Sequence, residues 1–315
     1  MRRTALMAQV LIVALLGFSG WSWATDRKTQ DVSSTVPVTT VVTVLGPNFS
    51  ARPPIAKQDV NVYSGRMRED LISWVPAQGE KSGLQLAIVI DNADSPTAIG
   101  THFTQIKDFI ASQGGTTEVG LFYAVNGSVE TESPFSTNRD AVAAKLRLPL
   151  GRFAGDSPSV YLSLQDLVKH WPANGMRHEV VVIASGVDHL DPGLDSPYVD
   201  EAVEEVQKSG TVVYTIYSGG PQLDNVSFRT DIAWQNLVRI STGSGGQDFF
   251  QGFETPVDFD PIFRQINAAL QNQYLLTFAA PRSRSKKGEL MKIEVRTEQR
   301  DVKLSYPSNV FVPGP

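Results

Sequence analysis

The chain of 315 residues contains no cysteine. This absence excludes disulfide bonds, thiolate nucleophiles, cysteine-based zinc sites and thioether-linked lipid anchors. Positively charged residues are fewer than negatively charged ones: the chain has 28 lysines and arginines and 33 aspartates and glutamates, which gives a net charge of −5. A mildly acidic chain is a poor non-specific ligand for nucleic acid or anionic lipid. We therefore expect no nucleic-acid partner.

Several enzyme motifs are missing from the sequence. Neither GxGxxG nor GxxxxGK[ST] occurs, and the turn at residues 91–95 reads DNADS, which is acidic where a phosphate site needs glycine and backbone N–H groups. No GxSxG segment occurs either. We therefore predict that the chain is not an enzyme. A cryptic serine hydrolase stays open as an alternative, with Ser157 or Ser185 as the nucleophile and His189 as the base.

The N-terminus has the pattern of an export signal. Arg2 and Arg3 precede an apolar run from Ala5 to Phe18, and the small residues Ser22 and Ala24 follow it. This pattern predicts a signal peptide over residues 1–24, with cleavage after Ala24 and a secreted or periplasmic protein without membrane contact beyond the signal. The alternative is an uncleaved N-terminal anchor, because a run of about 20 apolar residues is long enough to span a membrane.

Four segments follow the signal peptide. Residues 25–37 are polar and lack a hydrophobic period, which predicts a flexible leader. Residues 38–78 and 273–315 contain short strands separated by proline and glycine, whereas residues 80–272 alternate short apolar strands with amphipathic helices. A few strands at each end are too small to be stable alone, so we expect 38–78 and 273–315 to pair as one small β domain.

The middle segment predicts an α/β fold. Leu86–Ile90 and Glu179–Ile183 are almost continuously apolar, as in strands covered on both faces. Strands that alternate with helices favour a doubly wound, mostly parallel sheet. The Asn126-Gly127 pair predicts a tight hairpin, and hence one antiparallel edge strand.

The order of these features resembles that of von Willebrand factor type A (VWFA) domains. The first apolar strand ends in Ile88-Val89-Ile90-Asp91, and hydroxyl-rich loops follow later strands. More narrowly, the sequence is similar to the secreted VWFA-related family first noted in acidobacteria, in the stretch Asp59–Gly65 and in the tail Tyr274–Phe278. The resemblance covers nearly the whole mature chain. It implies a protein-binding fold whose intact members hold a divalent cation in a metal-ion-dependent adhesion site.

That adhesion site is degenerate in this sequence. The DxSxS motif of the family corresponds to Asp91, Ala93 and Ser95, so one hydroxyl is missing. The threonine of the next loop falls at Pro158, with Ser157 and Ser159 as neighbouring hydroxyls.

The aspartate of the third loop of the family corresponds to Ser185, so one carboxylate is missing as well. Hard cations such as Mg²⁺ and Ca²⁺ prefer a full set of oxygens that includes carboxylates. We therefore predict no bound metal. If one binds, Asp91 and Ser95 are its ligands, and Asp94 and Asp188 are compensating carboxylates.

The retained residues also have an ordinary structural interpretation. Asp91 stands at a strand end, where aspartate is common in turns, and Ser95-Pro96 is typical of a helix start. The functional hypothesis is a secreted, non-enzymatic adhesion or interaction module that binds another protein or a cell-envelope component without a metal. Besides the hydrolase, an envelope-anchored structural subunit is the remaining alternative.

Overall fold

The structure is a computed structural model that describes residues 35–47, 54–151, 159–172, 174–188, 190, 196–219, 227–252 and 254–315. The predicted signal peptide and most of the leader lie outside these residues, as do Ser157, Pro158 and His189. Within the described part of the chain, no helix combines the length and the apolar character needed to cross a membrane.

Strands and short helices account for most of the described residues. The strands are β1 (Thr35–Leu45), β2 (Val60–Ser64), β3 (Met67–Glu69), β4 (Leu71–Pro76), β5 (Leu84–Asp91), β6 (Thr117–Val125), β7 (Ser128–Ser136), β8 (Arg177–Ala184), β9 (Val212–Tyr217), β10 (Asp248–Phe249), β11 (Gln273–Pro281), β12 (Glu289–Lys292), β13 (Glu294–Thr297), β14 (Lys303–Ser305) and β15 (Asn309–Val312). The α-helices are α1 (Pro96–Gly100), α2 (Phe103–Ala111), α3 (Arg139–Ala144), α4 (Val160–Lys169), α5 (Pro197–Ser209), α6 (Ser227–Gly243) and α7 (Asp260–Gln271).

The central sheet has the strand order β10-β9-β8-β5-β6-β7. All neighbours in it are parallel except β6 and β7. Every residue of β5 is buried, because helices cover both faces of the sheet. Leu86, Ile88 and Ile90 pack with α1, α2, α3 and α7, whereas Ala87 and Val89 face α4, α5 and α6. The predicted fold class is therefore confirmed.

The antiparallel edge strand is confirmed as well, together with its turn. Asn126 and Gly127 join β6 to β7 with φ values of 47° and 80°. Positive φ at both central residues is the requirement of a type I′ hairpin, which explains why this dipeptide stands there.

Strands from both ends of the chain form small antiparallel sheets. The largest has the order β14-β1-β11-β4, so the N-terminal β1 lies between two C-terminal strands. The β1–β11 register runs from Thr35 opposite Pro281 to Thr43 opposite Gln273. The remaining small sheets have the orders β13-β2-β3 and β12-β15. Residues Thr35–Pro315 form one compact unit, and the division into the predicted domain ranges stays a prediction.

Some predicted element boundaries were wrong. Because β1 begins at Thr35, residues 35–37 of the predicted leader belong to a strand. The spacing of Ile99, Phe103, Ile106 and Ile110 predicts one helix from Ile99 to Ile110. The structure instead divides it into α1 and α2 at residues 101–102, where His102 leaves helical geometry with ψ near 6°. The sequence pattern of residues 289–296 predicts one strand. The structure divides it into β12 and β13 at Ile293, whose N–H donates to Ser308 O instead of a strand partner.

Candidate functional site

Two buried carboxyl groups stand at the carboxyl end of β5. Asp91 is the last residue of the strand and is 1% exposed, and Asp94 in the following turn is 4% exposed. We call these two residues the acid pair. The chain leaves β5 toward β6 on one side and returns to β8 on the other, and ligands of doubly wound sheets bind at such switch points.

Hydrogen bonds tie the acid pair to three loops. Asp91 Oδ1 accepts from the N–H of Ala93 at 3.0 Å. Asp94 Oδ1 accepts from the N–H of Ser185 at 3.2 Å, and its Oδ2 accepts from the Ser218 hydroxyl. The loops after β5, β8 and β9 therefore meet at these carboxyl groups.

Burial makes the acid pair hold protons more tightly than exposed aspartates do. It raises the pKa of Asp91 to about 6, against the lowering effect of the Ala93 hydrogen bond. Burial, and then repulsion from Asp91, raise the pKa of Asp94 well above its usual range, although Ser218 and Ser185 donate to it. No described lysine or arginine forms a salt bridge with either carboxyl group, so no cationic side chain offsets these effects.

The two predicted site serines that precede helices serve as caps. Ser95 Oγ accepts from the N–H of Ala98 at 3.3 Å, at the start of α1. Ser159 is fully buried, and its Oγ accepts from the N–H of Leu162 at 3.4 Å, at the start of α4. The interpretation of Ser95 as a helix start therefore agrees with its geometry.

Asp188 shapes its own loop. It is buried, and its carboxylate accepts from the N–H of Leu190 at 3.0 Å and from Ser196 Oγ at 3.1 Å. Ser185 is buried as well and hydrogen-bonds Asp94 through both its backbone and its hydroxyl group. No described histidine hydrogen-bonds the Ser185 hydroxyl, and the alternative hydrolase residues Ser157 and His189 lie outside the described residues.

Two site residues were missed by the sequence analysis. Ser218 directly follows β9, and Tyr161 in the first turn of α4 donates its hydroxyl to Gly186 O in the loop after β8. Ser218 could have been predicted from the sequence, because polar residues that directly follow parallel strands lie together at the carboxyl edge of the sheet. Tyr161 carries no such signal, since an aromatic residue on an apolar helix face is typical of a core.

The described donor set does not fit a hard divalent cation. Ala93 has no side-chain oxygen, Ser95 Oγ caps α1, and both oxygens of Asp94 accept protein hydrogen bonds. Within the part of the chain that the structure describes, no three His, Asp or Glu side chains are grouped closely enough to hold a metal ion. Six or more oxygens are usual around Mg²⁺ or Ca²⁺.

Several exposed apolar side chains lie in segments that hydrogen-bond to the loops near the acid pair. The large apolar residues that are exposed in the described chain are Met67, Ile72, Val75, Leu148, Leu150, Leu190 and Val257. Leu190 and Val257 lie in the segments after the parallel strands β8 and β10, and Leu148 and Leu150 follow α3 in a segment that is hydrogen-bonded to Asn92. We call Asn92–Ser95, Leu148–Gly151, Ser185–Asp188, Leu190, Ser218–Gly219 and Val257 the carboxyl-edge face. Single exposed apolar residues are ordinary, but several on one face are typical of an interaction surface.

Comparisons with known proteins give structural similarities only. No family model matches the sequence, and no curated protein matches it. An aerotolerance-related membrane protein from Bacteroides fragilis is similar over 60% of this chain and 98% of its own, with 13% identity and a TM-score of 0.45. A von Willebrand factor type A protein from Catenulispora acidiphila is similar over 90% of this chain and 75% of its own, with 11% identity and a TM-score of 0.43. The VWA domain of SpRpn10 is similar over 58% of this chain and 94% of its own, with 13% identity and a TM-score of 0.37. Two of these three structures, that from Catenulispora acidiphila and that of SpRpn10, are von Willebrand factor type A proteins or domains.

Proposed function

We propose that this protein is an exported, non-enzymatic interaction module. In this proposal the carboxyl-edge face binds another protein or a cell-envelope component, and no metal ion takes part. The observation that carries the proposal is the group of exposed apolar side chains around a buried acid pair. Apolar anchors with a polar surround are the usual composition of a protein-binding surface.

The segment that presents two of these anchors is held in place. Asn92 Oδ1 accepts from Arg147 Nη1 at 2.9 Å and from the Leu150 N–H at 3.2 Å. Asn92 O accepts from the Gly151 N–H at 3.0 Å. Leu148 and Leu150 therefore project from a fixed backbone beside the acid pair, so little conformational entropy of this segment is lost on binding.

The proposal includes no metal because the carboxyl groups of the acid pair already accept protein hydrogen bonds. Members of the resembling family with an intact site use the cation to hold an acidic side chain of the partner. Here Asp94 is engaged by Ser185 and Ser218, and Ala93 replaces a hydroxyl ligand. Binding would then depend on apolar contact, loop shape and hydrogen bonds, and its affinity would be insensitive to chelators.

The apolar anchors can be tested by affinity capture from the native envelope fraction and medium. We compare the wild type with a Leu148→Ser, Leu150→Ser variant and with a matched control, Met67→Ser, Ile72→Ser, at the small sheets. Each buried leucine contributes about 1.5–3 kcal/mol, so the first variant should lose more than tenfold in affinity for the captured partner. The control should retain it. Equal capture by all three proteins would contradict the proposal.

The metal independence has its own test by titration calorimetry and EDTA treatment. Partner binding should be unchanged by EDTA, and Mg²⁺ or Ca²⁺ should give no heat at micromolar concentration. Micromolar cation binding that Asp91→Ala abolishes would show that the site is functional for metal and would refute this part of the proposal.

Export is tested independently of binding. N-terminal sequencing of the native protein should give a mature start at Thr25. A retained N-terminus in the membrane fraction would instead support the envelope-anchored alternative.

A further inference from the structure

The turn that joins β11 to β12 carries a concentration of positive charge. Four of the six residues 282–287 are lysine or arginine, and Glu289 is the only acid that follows closely. All four cations are exposed, and none forms a salt bridge with a described acid. We call residues 282–287 the basic turn, and its cations are Arg282, Arg284, Lys286 and Lys287.

The serines of the basic turn hold its backbone in one conformation. Ser283 is 3% exposed, and its Oγ accepts from the Ser285 N–H at 3.0 Å. Ser285 Oγ accepts from the Lys287 N–H at 3.3 Å, and Ser285 O accepts from the Gly288 N–H at 3.0 Å. The serine hydroxyl groups are therefore used inside the turn, whereas the cationic side chains are exposed. A backbone that is already fixed loses little conformational entropy when its cations meet an anionic partner.

The composition of the basic turn favours a membrane surface over a protein partner. No apolar side chain stands between its cations. Protein-binding surfaces contain apolar or aromatic anchors and are depleted of lysine at their centres. Clusters of about four to eight lysines and arginines without such anchors are typical of electrostatic contact with anionic lipid head groups.

The basic turn also lies beside the point where the chain enters the fold. The β1–β11 register places Thr35 opposite Pro281, the residue directly before the turn. Thr35 follows Ala24 by 11 residues, and the apolar run from Ala5 to Phe18 precedes Ala24. Because an extended residue spans at most about 3.6 Å, a membrane that holds the apolar run lies within about 40 Å of Thr35.

The net charge of the whole chain does not describe this part of its surface. A net charge of −5 predicts poor binding to anionic lipid, but it averages over the entire molecule. Exposed charges are screened over a distance of about 10 Å at 0.1 M salt. Head groups beside the basic turn would therefore sense its cations more strongly than distant acids.

We propose that the basic turn contacts the anionic head groups of a lipid membrane and orients the protein on that surface. The contact is electrostatic and inserts no apolar side chain into the membrane. It is separate from the carboxyl-edge face, so its failure would leave the proposed function untouched.

Co-flotation with lipid vesicles tests this contact. Residues 25–315 are used, because they lack the apolar run and retain the whole compact unit Thr35–Pro315. Phosphatidylcholine vesicles are compared with vesicles that also contain phosphatidylglycerol. The protein should bind only the anionic vesicles and should be released at about 0.5 M NaCl, where the screening distance falls to about 4 Å. Equal binding to both kinds of vesicle, or no binding to the anionic ones, would overturn the proposal.

Two variants with the same net charge locate the contact. The first replaces the cations of the basic turn: Arg282→Gln, Arg284→Gln, Lys286→Gln and Lys287→Gln. Its partitioning onto anionic vesicles should fall at least about tenfold, because each cation near an anionic surface strengthens binding roughly fivefold. The matched control replaces four exposed cations elsewhere: Lys81→Gln, Lys145→Gln, Lys169→Gln and Arg264→Gln.

The control variant should bind anionic vesicles nearly as the wild type does. Equal losses in the two variants would show that total charge is responsible and would overturn the assignment to the basic turn. Thermal unfolding should be similar in all three proteins, because only exposed side chains without a described salt bridge are changed.

Soluble polyglutamate distinguishes a membrane from an acidic protein partner. Binding of polyglutamate without binding to anionic vesicles would assign the basic turn to an acidic protein and would overturn the membrane contact.

Discussion

The carboxyl group of Asp91 makes the stability of the protein depend on pH. Because burial raises its pKa from 3.8 to about 6, the folded protein binds this proton more tightly than the unfolded chain. The resulting stabilisation is full below the unfolded-state pKa and is lost as the pH rises through about 6. A shift of two pKa units corresponds to about 3 kcal/mol.

Asp91→Asn tests this linkage. The amide oxygen can still accept from the Ala93 N–H, but the side chain no longer ionises. The wild type should lose stability between pH 4 and pH 7.5 in urea unfolding experiments, and the variant should lose about 3 kcal/mol less. Asp108→Asn, an exposed aspartate of α2, should behave as the wild type does. A variant with the same pH dependence as the wild type would show that another group is responsible.

Gly186, in the loop after β8, has a backbone conformation that residues with a Cβ rarely adopt. Its φ is 73°, and an added Cβ would lie 2.8 Å from Ala233 O. Gly79 has a similar φ of 58° with nothing within 4 Å, so it controls for backbone strain alone. We expect Gly186→Ala to be less stable than Gly79→Ala by about 2 kcal/mol in chemical unfolding, because only the former adds a steric clash.

The site shows which functional residues can be identified from local sequence and which cannot. Asp91 and Ser185 were identified by their places after apolar strands, and Asp94 was recognised as a compensating carboxylate. The structure shows Asp94 hydrogen-bonded to the Ser185 backbone, so the loop after β5 contacts the loop after β8 at this carboxyl group; its role as a compensating carboxylate stays a prediction. Ser218 joins them only because β9 neighbours β8, which is a property of sheet order and not of local sequence.

At the scale of elements, the strands whose sequence pattern reflects their own burial were predicted, whereas the strands whose limits depend on distant pairing partners were not. The strands β5 and β8 were evident because both faces are buried and the sequence is continuously apolar. The small strands β12 and β13 were predicted as one, since their division depends on pairing with β15 and β2, far away in the chain. The helix α3 was missed because its six residues are too few to show a period.

The pairing of β1 with β11 predicts that the end strands depend on each other. Removal of residues 38–78 deletes most of β1 and all of β4, which flank β11 on both sides. The segment after Gln273 should then become sensitive to protease, whereas it is protected in the full chain. A protected fragment after Gln273 in the deletion variant would contradict the pairing.

At the scale of the whole molecule, a buried polar cluster joins the central sheet to the β1–β11 sheet. Glu179 at the start of β8 is fully buried, and its Oε2 accepts from Gln273 Nε2 at 3.0 Å. The same amide donates to Tyr214 OH at 3.3 Å, and Arg177 pairs with Glu179 at 3.1 Å. Gln273 therefore connects β11 with β8 and β9 at a single point.

Loss of this connection should affect the whole unit. Gln273→Ala leaves Glu179 without one donor in a buried position, and we expect a loss of about 2–3 kcal/mol in the free energy of unfolding. Calorimetry should still show one transition, because both sheets share their buried contacts. Gln299→Ala, which removes an exposed hydrogen bond to Asp59 of 2.9 Å, is the control and should change stability by less than about 0.5 kcal/mol. Two separate transitions in the wild type would contradict this coupling.

The long ladder between β1 and β11 also has a mechanical consequence. Its register places Thr35 at the end remote from Gln273, and therefore remote from the central sheet. A pull on Thr35 along the axis of β1, with β11 held at its Gln273 end, acts across the hydrogen bonds of the pair. All the residue pairs from Thr35 to Thr43 then bear the force together in shear, whereas a peeling force would break their hydrogen bonds one pair at a time. The β1–β11 pair should therefore resist a force along its strands better than a force that peels β1 away from β11.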